Sequence, residues 1–235
     1  MWKKQLLCLC CIGAILWSAA PREALPADAA AELPAEVKYI ALTFDDGPRR
    51  ETTAKLLDGL EERGASATFF LVGEQIEENS DLVERMKAEG HQVGNHTWSH
   101  VRLDGGAEES ARQEIRMTEE ALQELLGGEG YWLRPPYGMI DEGMEIGIPM
   151  VKWSVDPRDW ERRNTAQVVQ AVLRDAEPNA IILLHDIYPT SVEAALQVVD
   201  TLQKEGYWFV TVEELLRLNG IAPQAGVMYR SGKRA

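Results

Sequence analysis

The sequence predicts an α/β fold of about seven parallel strands, and three observations point to it. Short apolar runs alternate with helical stretches from Lys38 to Leu218, the pattern of βα units. No Gly-x-Gly-x-x-Gly turn follows the first run, which counts against a dinucleotide fold and a nucleotide cofactor. Clusters of unusual polar residues come at the C-terminal ends of five separate runs. Periodicity alone leaves an open doubly wound sheet and a barrel both possible. The polar clusters favour the barrel, because strand ends on one face are where a βα barrel builds its site.

The elements follow in order. Strands are expected at 38–44, 67–72, 91–96, 131–134, 150–155, 180–185 and 207–212. Helices are expected over 51–64, 80–90, 109–128, 165–177 and 190–206. Ser80-Asp81 and Thr190-Ser191 are candidate N-caps, and Gly64, Gly90, Gly127 and Gly206 follow the last helical turns. Ahead of this pattern lies a different kind of segment. Lys3 and Lys4 precede an apolar run from Leu6 to Trp17 and the small residues Ser18-Ala19-Ala20. That run is shorter than the roughly 20 residues a membrane span takes, so 1–20 reads as an export signal, with an uncleaved anchor as the alternative. Residues 21–36 are rich in Ala, Pro and Glu and read as a linker. The folded domain is then 37–218, and 219–235 reads as a loosely ordered tail. A monomer that is secreted or associated with the cell envelope is expected.

Composition excludes several functions. All three cysteines (Cys8, Cys10 and Cys11) lie within the signal-like run, so a processed chain has no thiol or disulfide chemistry. The net charge is −14, which repels nucleic acid and anionic lipid and argues against both as partners.

The polar clusters carry a hydrolytic constellation. His96 and His100 are four apart, and one helical turn would put both imidazoles on one side. Two histidines and a carboxylate leave an open position on zinc. A zincin would have Glu next to the first histidine; Thr97 stands there, so the base must come from elsewhere. Asp45-Asp46, between the run YIALTF and the turn Gly47-Pro48, supplies two carboxylates that point different ways, one for the metal and one for the water. In RPPYG, Pro135 and Pro136 lack N–H groups, so Tyr137 offers the first free backbone donor after Arg134; a rigid turn accounts for the same residues. His91 matches no motif, and Met139, Met144 and Met150 read as filler of core gaps.

TFDDGP (43–48), HTWSH (96–100), RPPYG (134–138), DPRDW (156–160) and LLH (183–185) together resemble, in order, the five motifs of the polysaccharide deacetylase family, carbohydrate esterase family four. The resemblance spans about Lys38 to Leu218 and implies a distorted (β/α) barrel. By motif position it implies a metal, most simply Zn2+, on Asp46, His96 and His100, and Asp45 as general base toward the attacking water. Arg134 would hold Asp45, favouring its ionised form. The Tyr137 N–H would face an oxyanion. His185 would protonate the leaving amine, its pKa raised by Asp159, with Asp156 in reserve. Trp153, Trp160 and Leu183 would line the acetyl and sugar pocket, although each alone reads as core packing. The implied activity is removal of N-acetyl groups from a GlcNAc-containing glycan. An O-acetyl (xylan) esterase and a non-catalytic glycan-binding protein are the alternatives.

Overall fold

A computed structural model of the chain describes residues 37–234. The expected signal (1–20) and linker (21–36) lie outside the described residues. The elements are β1 (Lys38–Asp45), α1 (Arg50–Glu62), β2 (Thr68–Leu71), α2 (Ser80–Ala88), β3 (Gln92–Asn95), α3 (Glu108–Leu126), β4 (Met150–Val151), α4 (Asp159–Arg162), α5 (Thr165–Asp175), β5 (Ile181–His185), α6 (Pro189–Lys204), β6 (Tyr207–Phe209), α7 (Val212–Leu218) and β7 (Met228–Tyr229).

Every ladder is parallel, as the alternation predicted. The main sheet runs β3-β2-β1-β5, and β6 pairs with the start of β1. Single bridges continue the ring from Asn95 to Leu133, from Leu133 to Met150, and from Val155 to Ile182. The sheet thus curls back on itself as a distorted α/β barrel, weakest around Leu133. The expected strand at 131–134 is reduced to bridges at that one residue. The reason is local: Pro135 and Pro136 follow directly, and a residue without an N–H cannot extend a ladder.

The central strands are buried on both sides, and their alternation separates two cores. Leu42 and Phe44 of β1, Phe69 and Leu71 of β2, and Ile182 and Leu184 of β5 pack in one cluster with Leu56, Leu57 and Leu60 of α1 and Val198 and Val199 of α6. Ala41, Phe70 and Ile181 belong to a second cluster, with Val151 and α7 residues Val212, Leu215 and Leu216. The positions of period two with Ala41 and Ile181 are Thr43 and Asp45 on β1, and Leu183 and His185 on β5. Thr43, Asp45 and His185 therefore bring polar groups, with Leu183, to the inner side of the strands, toward their C-terminal ends.

Three expectations are corrected. The strand expected at 207–212 stops at Phe209, because Thr211 and Glu214 form a capping box that starts α7. Neither proposed N-cap holds: α2 is preceded by Asn79 without a side-chain cap, and α6 by Tyr188 with Pro189 in its first turn. The four glycines do follow their helices, at positive φ. The tail is also structured, since β7 pairs with β4 and the Arg234 side chain donates to the carbonyls of Asn219 and Gly220. Tyr229 packs against the second cluster, and Met228 against a further one that contains Leu103, Leu133 and Met150.

Ending the chain at Leu218 is expected to destabilise the domain, because β4 loses its β7 partner. A fall in Tm of roughly 5 °C or more relative to the full domain, read by calorimetry, is the expected outcome for a loss of about 2 kcal/mol. An unchanged Tm would return 219–234 to the status of a loose tail.

Candidate active site

The site is built around a buried cation. Arg134 has no exposed surface. Its guanidinium donates to Thr43 Oγ1 and Asp45 Oδ1, each at 2.7 Å, and to the carbonyls of Lys152 at 3.0 Å and Val151 at 3.4 Å. The Phe70 ring lies 4.2 Å from it. Burial pulls the guanidinium below its ordinary pKa, and the ionised Asp45 opposes that shift. Asp45 is itself buried, so each charge answers the other.

Asp46, at the next position, breaks from the strand with φ 72° and turns its carboxylate elsewhere. Its Oδ1 lies 3.5 Å from His96 Nε2 and 3.2 Å from His100 Nε2. The two histidines do not converge through a helical turn, as their spacing suggested. Residues 96–100 form an irregular loop in which Thr97 and His100 both take left-handed φ. Asn95 Oδ1 accepts the Thr97 N–H at 2.9 Å, and Glu114 accepts the Ser99 N–H at 2.8 Å, fixing the loop at both ends. His96 Nδ1 donates to the Arg134 carbonyl at 2.6 Å, which leaves Nε2 as the free ligand atom.

One ligand atom from each of Asp46, His96 and His100 falls within 4.8 Å of the others. The donor set fits a divalent metal ion. Asp46 Oδ1 is buried without a hydrogen-bond partner, an unmet acceptor facing two imidazoles. Burial raises the Asp46 pKa, but His96, His185 and His100 outweigh it and hold the carboxyl near about 2. Burial and the neighbouring His96 lower the His100 pKa despite the two carboxylates, favouring the neutral imidazole that a metal needs.

Across the pocket, His185 Nδ1 pairs with Asp159 Oδ1 at 2.8 Å. Asp159 Oδ2 accepts the His185 N–H at 2.8 Å and the Ser191 hydroxyl at 2.6 Å, so the buried carboxylate is held from three directions. Burial disfavours the imidazolium, but Asp159, aided by Asp45 and Asp46, pushes His185 up to about 9. Tyr137 stands at φ 59° with its side chain 58% exposed, and its N–H donates to no acceptor among the described residues.

These groups line one cavity of about 360 Å³. Asp45, Asp46, His96, His100, Tyr137, Trp153, Trp160, Leu183 and His185 all reach it. Arg134 and Asp159 stand behind Asp45 and His185 respectively. Asp156 also lines the cavity, but its Oδ1 accepts the Arg158 N–H and no contact joins it to His185. Sequence reading missed two residues. Tyr188 lines the cavity, three positions beyond His185 and just before Pro189. Asp186 is wholly buried, takes the Thr53 hydroxyl, and lies so close to Gly47 that a Cβ there would meet its carboxylate. Burial first, then the nearby Asp46, raises its pKa to about 7. The bland reading of His91 holds: it accepts the Ala67 N–H at 3.1 Å, and burial lowers it to about 4. Met139 is corrected, since it is exposed beside Arg102 and fills no core gap.

A sequence model of the polysaccharide deacetylase family matches residues 32–147. A peptidoglycan-N-acetylglucosamine deacetylase of Bacillus cereus is 37% identical over 196 residues, covering 79% of this chain and 92% of that one. The peptidoglycan-N-acetylglucosamine deacetylase PgdA of Listeria monocytogenes is 41% identical over 180 residues, 76% of this chain; the chain spans only 39% of that relative's length. Among solved structures, a family 4 acetyl xylan esterase from Clostridium thermocellum, in complex with a cobalt ion, matches with a TM-score of 0.78. It is 32% identical and is covered over 98% of its length by 83% of this chain.

In the metal-free protein the His185 imidazole is expected to titrate near about 9 by NMR, and Asp159→Asn is expected to bring it below its ordinary 6.5. The folded value lies above the ordinary one. The pair therefore stabilises the fold fully below pH 6.5, and that contribution is lost as pH rises through about 9. A His185 that titrates alike in both proteins would dissolve the pairing.

Proposed function

The chain belongs to the polysaccharide deacetylase family, and from that membership and the site's geometry we propose that it is a metal-dependent N-deacetylase of a GlcNAc-containing glycan of the cell envelope. One observation carries the reading. Asp46, His96 and His100 converge on one wall of a cavity that His185, backed by Asp159, also lines.

Asp46, His96 and His100 would hold a divalent ion, for which two imidazoles and a carboxylate suit zinc, and once bound it would supply Lewis acidity to the acetamide carbonyl and to a water. Asp45, its Oδ1 held by Arg134, takes the proton of the attacking water on Oδ2. The Tyr137 N–H donates to the oxygen that becomes negative in the transition state. His185 keeps Nδ1 on Asp159 and delivers a proton from Nε2 to the leaving nitrogen. The C–N bond then breaks to give acetate and a free amine. Leu183 and Trp153 offer apolar walls to the acetyl methyl, and exposed Trp160 offers a ring face to the sugar.

The similarity to an acetyl xylan esterase supports a second reading, in which the bond cut is an O-acetyl ester. The acid favours the amide. An amine departs poorly unless protonated, and His185, raised to about 9, holds its proton at neutral pH. Export rests on residues 1–20, where Lys3, Lys4, the apolar run and Ser18-Ala19-Ala20 support delivery to the envelope.

Acetate release from N-acetylated glucosamine oligomers is expected to exceed that from acetylated xylan and to stop with chelator. His100→Ala should lose both the bound ion and turnover. Asp45→Asn should keep the ion, measured by elemental analysis, while kcat falls about 10²–10⁴-fold. If that variant also lost its metal, Asp45 would be a ligand and the two aspartates would exchange roles. Faster release from xylan would make the chain an esterase.

A further inference from the structure

The chain has 38 acidic and 24 basic residues, and many of its arginines are neutralised in ion pairs such as Arg50–Asp81, Arg85–Asp58 and Arg174–Asp175. Two arginines that touch Ile187, Tyr188 and Trp160, at or next to the cavity lining, differ. Arg49 is exposed just after the turn that carries Asp45 and Asp46, and its Nη1 donates to the Ile187 carbonyl at 3.3 Å. Arg163 is exposed, and its guanidinium lies 3.3 Å from the centroid of the Tyr188 ring. Its Nε donates to the Trp160 carbonyl. Neither has a carboxylate within ion-pair distance among the described residues.

Both guanidinium groups are thus anchored on consecutive residues, Ile187 and Tyr188, and Tyr188 and Trp160 line the cavity. The remaining N–H groups, on Nε and Nη2 of Arg49 and on both Nη atoms of Arg163, donate to nothing in the described chain. A carbonyl anchor on Arg49, and an anchor plus ring stacking on Arg163, limit how far each side chain can swing, so the remaining donors are already arranged. Arg163 follows the end of α4 with a left-handed φ of 47°.

The acids of the cavity do not neutralise this edge. Asp45 answers Arg134, Asp159 answers His185, and Asp46 faces His96 and His100. Asp156 is bound to the backbone of its own loop at Arg158, and the Arg158 guanidinium pairs with Glu161 at 2.8 Å.

We infer that Arg49 and Arg163 form an anion seat at the cavity mouth that holds a carboxylate of the substrate, making the chain selective for anionic N-acetylated glycans. The inference rests on the deacetylase reading above. Planar guanidinium donors match a carboxylate, and its charge is attached within a sugar of the scissile acetamide. Two sources offer that chemistry: the lactyl ether of muramic acid and the carboxyl of a uronic acid.

Four tetrasaccharides separate the possibilities: a neutral GlcNAc oligomer, a GlcNAc–MurNAc oligomer, the same with its lactyl carboxyl amidated, and a GlcNAc–glucuronic acid oligomer. For at least one carboxylate substrate, kcat/KM is expected to exceed that of its neutral counterpart about tenfold, the scale of exposed charge-assisted hydrogen bonds, and to converge with it at high salt. Which carboxylate is preferred identifies the source. Arg49→Gln with Arg163→Gln should bring that ratio to about one, while Arg174→Gln with Arg217→Gln, the same charge change on α5 and α7, should leave it unchanged. Equal rates on charged and neutral substrates, or a ratio that survives the double variant, would overturn the anion seat and leave the deacetylase reading standing. If no N-acetylated substrate released acetate, that reading would fall. Calorimetric binding of the acidic and amidated oligomers would then decide the seat by the same ratio.

Discussion

A positive charge sealed inside the barrel is the constraint on which the rest of the structure depends. Arg134 is wholly buried, and an unpaired guanidinium there would cost several kcal/mol. Its partners therefore have to be in place together: Thr43 and Asp45 on β1, and the carbonyls of Val151 and Lys152 beyond the bridge at Leu133. Its own carbonyl receives His96 Nδ1. One residue thus joins the central strand, the weakest part of the barrel wall and the histidine loop. The same contacts that satisfy the buried charge orient Asp45 and leave His96 Nε2 free. Stability and site geometry are not separable here.

Around that fixed centre the backbone departs from its comfortable regions. Asp46, Thr97, His100 and Tyr137 are all non-glycine residues at positive φ, and all but Thr97 line the cavity. Each such residue costs on the order of 1 kcal/mol, so a cluster persists only where surrounding contacts determine it. Those contacts are visible: the Asn95 side chain on the Thr97 N–H, Glu114 on Ser99, and the Pro135-Pro136 pair before Tyr137. The strain turns adjacent residues apart. Asp45 faces Arg134 while Asp46 faces the two imidazoles, a division that an extended strand end alone would make less sharply.

The parallel strands and the outer helices were legible because burial on two faces leaves long apolar runs, and helices repeat their apolar face. The five polar clusters were legible because Asp, His and Arg are expensive next to such runs and need partners there. What escaped was conformation that no period encodes. His96 and His100 meet through left-handed residues, not a helical turn, although the spacing allowed both. The strand at 131–134 failed because its own end is made of prolines. The helix α7 was hidden by the apolar strand leading into it, although Thr211 and Glu214 carried a readable cap. Tyr188 and the arginines at the cavity mouth left no signal of their own, since single aromatic and basic residues are ordinary in any loop. Only their contacts distinguish them, Arg163 stacked on Tyr188 and Arg49 on the Ile187 carbonyl.

The electrostatics of the cavity follow from keeping two titratable sets apart. Asp46 is held near about 2 by imidazoles, while His185 is raised to about 9 by a buried carboxylate. Neither environment suits the other group. An imidazolium beside a metal ion would be repelled, and a carboxylate in place of His185 would confront Asp159. The barrel solves this by drawing the two sets from different loops. Asp46, His96 and His100 come from the ends of β1 and β3, and His185 comes from β5 with its partner on α4. Because β1 and β5 are neighbours in register, with Asp45 beside His185, the sets share one cavity and reinforce each other across it, each with its own hydrogen-bond partners. An ionised Asp46 and a protonated His185 can then coexist at neutral pH, as the proposed metal-assisted hydrolysis of an amide requires.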